Sequence, residues 1–259
     1  MELSIFQVDA FSSKVFGGNP AAVCPLDNWL PDATLQSIAL ENNLSETAYF
    51  VRTENRYHLR WFTPAVEMDL CGHATLASAY VLFHQLDYQD ETVYFDTKSG
   101  ELTVKRDGDL LVMDFPSRPP KPIAADAGLG AAMGGKPTEI LASRDYFLVY
   151  ETEDEVLSLQ PDMGALARFE KAAFIATARG RNCDFVSRFF APKLGVPEDP
   201  VTGSAHSALI PYWAAKLAKN SLHAWQVSAR RGELFCKFAG DRVEIAGHAV
   251  LYLKGRITI

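Results

Sequence analysis

The sequence has little positive charge for its length. Its 25 Lys and Arg residues are outnumbered by 32 Asp and Glu, which gives a formal net charge of −7, and the basic residues are scattered along the chain. Proteins that bind a phosphate backbone or an anionic membrane concentrate positive charge on one surface instead. We therefore expect no nucleic acid among the partners.

Long apolar runs are also missing. The longest nearly apolar stretch covers residues 74–83, which is much shorter than the roughly 20 residues that span a bilayer. The first residues include Glu2 and no basic side chain before Lys14, unlike the basic start of a secretory signal. These absences predict no membrane partner and a cytoplasmic location.

Glycine, proline and cysteine are too few to indicate a specialised composition. The 17 Gly and 14 Pro among 259 residues are well below a low-complexity or disordered composition. The four cysteines are far apart, so they predict neither a disulfide framework nor a zinc cluster. Such a chain folds as one large domain or two small ones.

A pattern of four segments recurs about 130 residues later in the same order. Each copy has a Pro-Asp helix start, a β-prone run, a segment with Arg, two aromatic residues and Pro, and a tetrad of the form Xaa-Gly-Xaa-Ala. The matched segments are 31–32 and 161–162, 47–51 and 172–176, 60–64 and 188–192, and 71–74 and 202–205. Four matches in one order indicate an ancient duplication, with coincidental α/β alternation as the alternative.

The residues after each tetrad are apolar on nearly every side, which is typical of a helix enclosed by other structure. We predict these central helices at about 72–86 and 203–218, the second bent by Pro211. Alternating runs with glycine turns predict strands around them. The sequence thus predicts an α+β fold of two similar halves, each a barrel-like sheet around its helix. The N-terminal half is 1–117, which also receives the C-terminal strand, and the C-terminal half is 118–259.

The starts of the two central helices are candidate anion sites. A helix N-terminus carries unpaired N–H groups and a partial positive charge, so two converging starts would bind a carboxylate or an enolate. Gly72 and Gly203 would let the backbone approach such a ligand closely. An ordinary tight turn before each helix is the alternative.

Glu46 breaks the symmetry of the repeat, because the approximate counterpart in the second copy is Lys171. One carboxylate beside an anion site is suited to act as a general acid or base. A solvated glutamate between a helix and a strand is the alternative.

Cys71 and His73 share the first tetrad. His73 could donate or relay a proton, and the helix start is expected to acidify the Cys71 thiol. Racemisation by two thiols needs a second cysteine, and Thr202 occupies that position. Cys71 and His73 also lack further ligands at zinc-site spacing, so we expect no metal.

The second tetrad and the residues before it are polar. Asp199 and Ser204 could orient hydroxyl or amine groups of a substrate. Capping of helix N–H groups by Thr202 or Ser204 is the alternative.

Taken together, these motifs resemble the PhzF family of phenazine-biosynthesis-like isomerases along nearly the whole chain. The segments that carry the resemblance are 6–11 (FQVDAF), 18–23 (GNPAAV), 43–48 (NLSETA), 62–64 (FTP), 71–75 (CGHAT) and 198–206 (EDPVTGSAH).

The resemblance implies a diaminopimelate-epimerase-like fold with the site in the cleft between the halves. It implies a cofactor-independent isomerase of a small carboxylate, with Glu46 catalytic, supported by His73, Asp199 and Ser204. Gly72 and Gly203, with the neighbouring Cys71 and Thr202, would bind the substrate, and relatives are commonly homodimers. The alternatives are an epimerase or racemase, and a non-catalytic protein that binds or senses a small ligand.

Overall fold

The computed structural model describes residues 1–124 and 127–259. Strands and helices follow in chain order: β1 Glu2–Ala10, β2 Asn19–Leu26, α1 Asp32–Asn42, β3 Glu46–Arg52, β4 Tyr57–Phe62, β5 Glu67–Met68, α2 Gly72–Gln85, β6 Thr92–Thr97, β7 Gly100–Asp107, β8 Leu110–Pro116, β9 Lys121–Pro122, α3 Ala127–Met133, β10 Glu139–Ala142, β11 Tyr146–Val149, α4 Glu153–Ser158, α5 Met163–Leu166, β12 Phe174–Arg179, β13 Phe185–Ala191, β14 Val196–Asp199, α6 His206–Leu217, β15 Ser221–Gln226, β16 Gly232–Ala239, β17 Arg242–Gly247 and β18 Ala249–Thr258. Short 3₁₀ turns precede β14, at Pro192–Leu194, and α6, at Gly203–Ala205.

The chain forms two compact units. The N-terminal unit consists of Met1–Asp114 and Ala246–Ile259, and the C-terminal unit of Phe115–Ile245. The first boundary lies a few residues before the expected 117. The last strand, β18, belongs to the N-terminal unit because it pairs with β1 along its whole length.

The two units repeat one order of strand pairing. In the N-terminal unit β1–β2 is antiparallel, β2–β3 parallel, β3–β4 and β4–β5 antiparallel, β4–β6 parallel and β6–β7 antiparallel. The same series runs through β10, β11, β12, β13, β14, β15 and β16 in the C-terminal unit. The central helices also match, since α2 lies between β5 and β6 and α6 between β14 and β15. The predicted α+β fold with a duplicated architecture is confirmed.

The helix α2 is the centre of the N-terminal unit. It packs against β1, β2, β3, β7 and β18, and 11 of its 14 residues are buried. Alanines and other small residues on several faces allow strands to approach it from different sides. The sequence of α2 is apolar on nearly every side because strands enclose the helix, as the pattern predicted.

The helix α6 takes the same place in the C-terminal unit and runs continuously through Pro211. Proline has no N–H to donate to the carbonyl four residues earlier, which here is Ser207. The backbone N–H of Arg118 donates to that oxygen instead, at 2.8 Å. The predicted second helix corresponds to a 3₁₀ turn followed by α6. The N–H of Arg118 replaces the hydrogen bond that Pro211 cannot make.

Each unit also has an outer layer of shorter helices. In the N-terminal unit, Leu35 and Ile38 of α1 pack with Tyr49 and Phe62 of the sheet. In the C-terminal unit, α4 and α5 contribute Val156 and Leu166 to a core with Phe174 and Phe190. Burial of each such side chain contributes about 1.5–3 kcal/mol to the stability of the fold.

Strand register corrects the sequence alignment of the two copies. The pairs at matching positions are Thr47 with Phe62 and Phe174 with Phe190. The counterpart of Glu46 is therefore Ala173, not Lys171. The second copy has no ionisable group at this position, so the repeat contains no acid or base that corresponds to Glu46.

Candidate active site

The candidate residues of the N-terminal unit lie where three elements begin. Strands β2 and β3 are parallel, with Ala21 opposite Glu46, so their first residues lie at one edge of the sheet. Asn19 begins β2 and Glu46 begins β3. The helix α2 starts at the same place, with Cys71 before its first turn and His73 within it.

Glu46 and His73 form a largely buried pair. Oε2 of Glu46 lies 3.0 Å from Nε2 of His73, and the two side chains are 13% and 5% exposed. Burial works against a charged imidazole, but the adjacent Cys71 and Glu46 groups outweigh it and raise the pKa of His73 well above its usual value. A proton on His73 therefore persists at neutral pH beside the Glu46 carboxylate.

Asn19 contacts the other side of the imidazole. Its Nδ2 lies 3.1 Å from Nδ1 of His73, and the Asn19 side chain is fully buried. In this orientation the amide donates to a neutral His73 that carries its proton on Nε2. A doubly protonated His73 would need the amide rotated to present Oδ1, so Asn19 has the atoms to accommodate either protonation state.

Cys71 lies on the same side of His73, with its Sγ 3.6 Å from Nδ1. Burial, and then the negative Glu46, raise the pKa of the Cys71 thiol to about 11. The expected acidification by the helix start is therefore wrong, because loss of solvent outweighs the helix dipole at this position. Cys71 is a neutral thiol at pH 7.

The first turn of α2 has no side chain that caps it. The N–H and the hydroxyl of Thr75 both donate to the carbonyl of Cys71. The N–H groups that precede it, starting at Gly72, have no helical acceptor. Together with His73, they form a candidate site for a carboxylate or an enolate.

The side chains of Glu46, Cys71 and His73 are also of the kinds that bind metal ions. The ligand atoms of Glu46, Cys71 and His73 lie within 4.8 Å of one another. A metal ion would have to displace the proton of a thiol with a pKa of about 11 and of a histidine whose pKa is raised. This donor set is better suited to holding protons than a metal.

The candidate residues of the C-terminal unit lie at the start of α6. The Thr202 hydroxyl makes a short hydrogen bond with Oδ2 of Asp199, the last residue of β14. The Thr202 carbonyl accepts from Nδ1 of His206 at 2.9 Å, as the Cys71 carbonyl accepts from Thr75. Burial lowers the pKa of His206 to about 4, so it stays neutral.

Ser204 is not a capping residue in this structure. Its hydroxyl accepts a hydrogen bond at 3.1 Å from Arg144, whose guanidinium also pairs with Asp145 at 3.0 Å. Gly203 and Ser204 form the 3₁₀ turn, and no side chain caps it. A half-exposed cation therefore lies beside a second uncapped turn, which is a suitable surrounding for an anionic group.

An arginine supports the loop before each central helix. Arg60 forms two hydrogen bonds with Glu67, at 2.7 and 3.0 Å. Arg188 does the same with Glu198, at 2.7 and 2.9 Å. Because Glu198 directly precedes Asp199, this second pair fixes the strand end that carries the candidate carboxylate.

Within the N-terminal unit the fold brings together Glu46, Cys71, Gly72 and His73. Within the C-terminal unit it brings together Asp199 and Thr202, followed by Gly203 and Ser204. The sequence reasoning missed three polar partners of these residues: Asn19, Arg144 and Gln226, whose side chain accepts from the backbone N–H of Thr202. Asn19 lay within a quoted motif, whereas the other two carry no local pattern.

The chain matches known proteins along nearly its whole length. Residues 8–255 match the family described as phenazine biosynthesis-like protein. The chain belongs to this family. An isomerase from Pseudomonas aeruginosa, described as uncharacterised, is 54% identical over 257 residues, covering 99% of either chain. A crystal structure of a PhzF family protein from Enterococcus faecalis covers 100% of both chains at 47% identity, with a TM-score of 0.98.

The fold extends beyond the phenazine biosynthesis-like family. A hydroxyproline epimerase from Agrobacterium vitis superposes with a TM-score of 0.63 at 10% identity, covering 99% of this chain and 92% of the epimerase. This likeness concerns the fold alone, which the chain shares with that epimerase. Among the described residues, no helix has the length and apolar character of a membrane span.

Proposed function

We propose that this member of the family is a cofactor-independent isomerase that moves a proton within a small carboxylate, with Glu46 as general acid and base. The observation that carries the proposal is the largely buried Glu46–His73 pair, 3.0 Å apart at an uncapped helix start. A carboxylate that works next to a held proton and an anion site has the parts that a proton shift requires.

The reaction has two proton transfers. The Glu46 carboxylate removes a proton from a carbon adjacent to the unsaturated or carboxylate group of the substrate, and the C–H electron pair moves into that conjugated group. The N–H groups at the start of α2 and protonated His73 stabilise the resulting anion. Protonated Glu46 then returns the proton to a different carbon, so no atom is gained or lost and no electron acceptor is needed.

The residues of the C-terminal unit bind the substrate in this proposal. Asp199 and Ser204 interact with its polar groups, and the turn at Thr202 and Gly203 contributes backbone N–H groups. Cys71, a neutral thiol, contacts the substrate without exchanging protons. An epimerase with two thiols is disfavoured because Thr202 occupies the position of Cys71 in the second copy.

The test is proton NMR in D₂O with wild type and Glu46→Gln. The panel contains trans-2,3-dihydro-3-hydroxyanthranilate and small amino and hydroxy acids. We expect deuterium incorporation or isomerisation, reduced by about 10²- to 10⁴-fold in Glu46→Gln, the range for loss of a general acid or base. Glu54→Gln, which removes an exposed carboxylate from the same unit, is the control.

Each result has a distinct meaning. Activity retained by Glu46→Gln with an intact fold would remove Glu46 from the proposed role. Inversion of a stereocentre without isomerisation would favour the epimerase. Stabilisation of the fold by a panel compound without exchange would favour a ligand-binding protein.

The homodimer and the cytoplasmic location are parts of this proposal that rest on the family resemblance and on the sequence. Sedimentation equilibrium on the full chain tests the first, with a mass near twice 28.6 kDa expected. Fractionation of the source cells tests the second.

A further inference from the structure

Gln226 is the last residue of β15, fully buried behind the loop that carries Asp199 and Thr202. Its Oε1 accepts from the backbone N–H of Thr202 at 2.8 Å. Its Nε2 donates to the carbonyl of Asp199 at 2.8 Å and lies 3.2 Å from the Thr202 hydroxyl. One side chain thus holds the loop by both backbone and side-chain atoms.

The hydrogen-bond partners of Gln226 fix the orientation of its side-chain amide. A backbone N–H can only donate, so the atom facing Thr202 N must be the amide oxygen. A backbone carbonyl can only accept, so the atom facing Asp199 O must be the amide nitrogen. Two independent partners therefore assign the same orientation.

This orientation determines the direction of the next hydrogen bond. Because Nε2 of Gln226 donates to the Thr202 hydroxyl, the single hydroxyl proton is directed to Oδ2 of Asp199. The carboxylate of Asp199 accepts this hydrogen bond at Oδ2.

We infer that Gln226 is a positioning residue which, through Thr202, keeps Asp199 as a hydrogen-bond acceptor for the substrate. The inference rests on the proposed function and narrows its substrate to carboxylates that also carry a donor, either a hydroxyl or an ammonium group. In this inference Asp199 binds the donor group of the substrate, and Glu46 transfers the proton.

The arrangement is specific to the C-terminal unit. The β4–β6 and β13–β15 registers place Thr97 at the position equivalent to Gln226. The Thr97 hydroxyl instead donates to the carbonyl of Gly100 in its own hairpin. The strand registers also make Met68 the counterpart of Asp199. The N-terminal unit therefore lacks both the carboxylate and the glutamine, and the repeat alone does not account for Gln226.

Two variants separate holding the loop from directing the proton. Gln226→Glu keeps an oxygen that can accept from Thr202 N–H but loses both donor bonds. Gln226→Met has similar length and loses all of them. We measure hydrogen exchange of the Thr202 amide in ¹⁵N-labelled full-length protein, which needs no substrate, and deuterium incorporation on the panel above.

We expect both variants to lose about 2- to 10-fold in activity, the range for removing a hydrogen bond between neutral groups. Amide protection of Thr202 should stay close to wild type in Gln226→Glu and fall in Gln226→Met. Thr202→Val should lose activity to the same extent as Gln226→Glu, and Thr202→Ser, which keeps the hydroxyl, should restore most of it. Combining Gln226→Glu with Thr202→Val should add little to either change.

Gln36→Glu is the matched control, because Gln36 also donates to a backbone carbonyl, that of Thr63 at 2.8 Å, but on α1. Wild-type activity in Gln226→Glu, or equal loss in Gln36→Glu, would overturn the inference. Unchanged Thr202 protection in Gln226→Met would also overturn it. If wild type exchanges no panel compound, the proposed function fails for that panel, while the amide measurement still decides whether Gln226 holds Thr202.

Discussion

Oε2 of Glu46 lies 3.0 Å from Nε2 of His73, across the start of a helix that no side chain caps. The two groups come from positions 27 residues apart in the chain and meet because β3 and α2 begin at the same edge of the sheet. The pair joins a proton acceptor to a held proton. In the proposed reaction Glu46 removes the proton and returns it, and protonated His73 stabilises the anion between the two transfers.

Replacement of His73 by Gln should remove the charge but keep a donor near Glu46. We expect deuterium incorporation to fall by about 10²-fold, the lower range for loss of a proton-donating group. In wild type, activity should hold across neutral pH and fall as pH rises through the raised pKa of His73. A pH–rate profile measures this, and the alkaline decline should be absent from His73→Gln.

The stability contributed by this pair should follow the same titration. A histidine whose pKa is higher in the folded than in the unfolded state stabilises the fold fully below its unfolded pKa, near 6.5. That contribution is lost as pH rises through the folded-state pKa. Equal alkaline loss of stability in wild type and His73→Gln would contradict the assignment of the proton to His73.

Cys71 should react slowly with iodoacetamide at neutral pH. Its pKa of about 11 leaves little thiolate, so the rate should be about 100-fold below that of an ordinary cysteine. Glu46→Gln removes a charge that raises this pKa, so the same thiol should react faster in that variant. Mass spectrometry of the labelled peptides measures both rates, and fast labelling in wild type would show a solvated thiolate.

The central helices and the presence of strands around them could be predicted from the sequence, because burial leaves a pattern of apolar residues. Residues such as Leu76 and Val81 of α2 and Leu209 of α6 are apolar where the helix is covered. The candidate residues near each tetrad were accessible because a helix start is a local feature. Their partners were not, since Gln226 meets Thr202 only through the pairing of β15 with its neighbours.

Two errors of the sequence reasoning have physical causes. The thiol of Cys71 was expected to be acidic from the helix dipole, but desolvation is a property of the fold and outweighs it. Lys171 was matched to Glu46 because similar β-prone letters do not fix a register. Only the pairing of β12 with β13 places Ala173 there.

His206 should make the fold less stable in acid. Its pKa is about 4 in the folded protein, against about 6.5 when solvated, because burial disfavours the charged ring. Between these values the unfolded chain binds a proton that the folded chain does not, so stability falls as pH decreases from 6.5 to 4. The full effect is on the order of 3 kcal/mol.

Urea unfolding at pH 7 and pH 4.5 measures this dependence. His206→Gln keeps an N–H donor beside the Thr202 carbonyl but cannot titrate. We expect the loss of stability on acidification to be smaller in this variant than in wild type. An identical loss would mean that His206 is charged, or solvated, in the folded protein.

Gly232 has no side chain, and the side chain of Val201 occupies the space beside it. Val201 lies between Asp199 and Thr202 in the chain. A Cβ built at Gly232 would lie 2.2 Å from Cγ2 of Val201, and Gly232 also pairs with Gln226 across β15 and β16. Gly232→Ala should therefore displace the loop, destabilise the fold by about 1–3 kcal/mol, and reduce protection of the Thr202 amide. Gly255→Ala is the control, because its added Cβ would meet nothing closer than 3.8 Å. Denaturant unfolding and amide exchange of both variants measure the difference. If Gly232→Ala left the loop unchanged, the strand would have to yield in place of Val201, and the close packing of β16 against the Asp199–Thr202 segment would not position it.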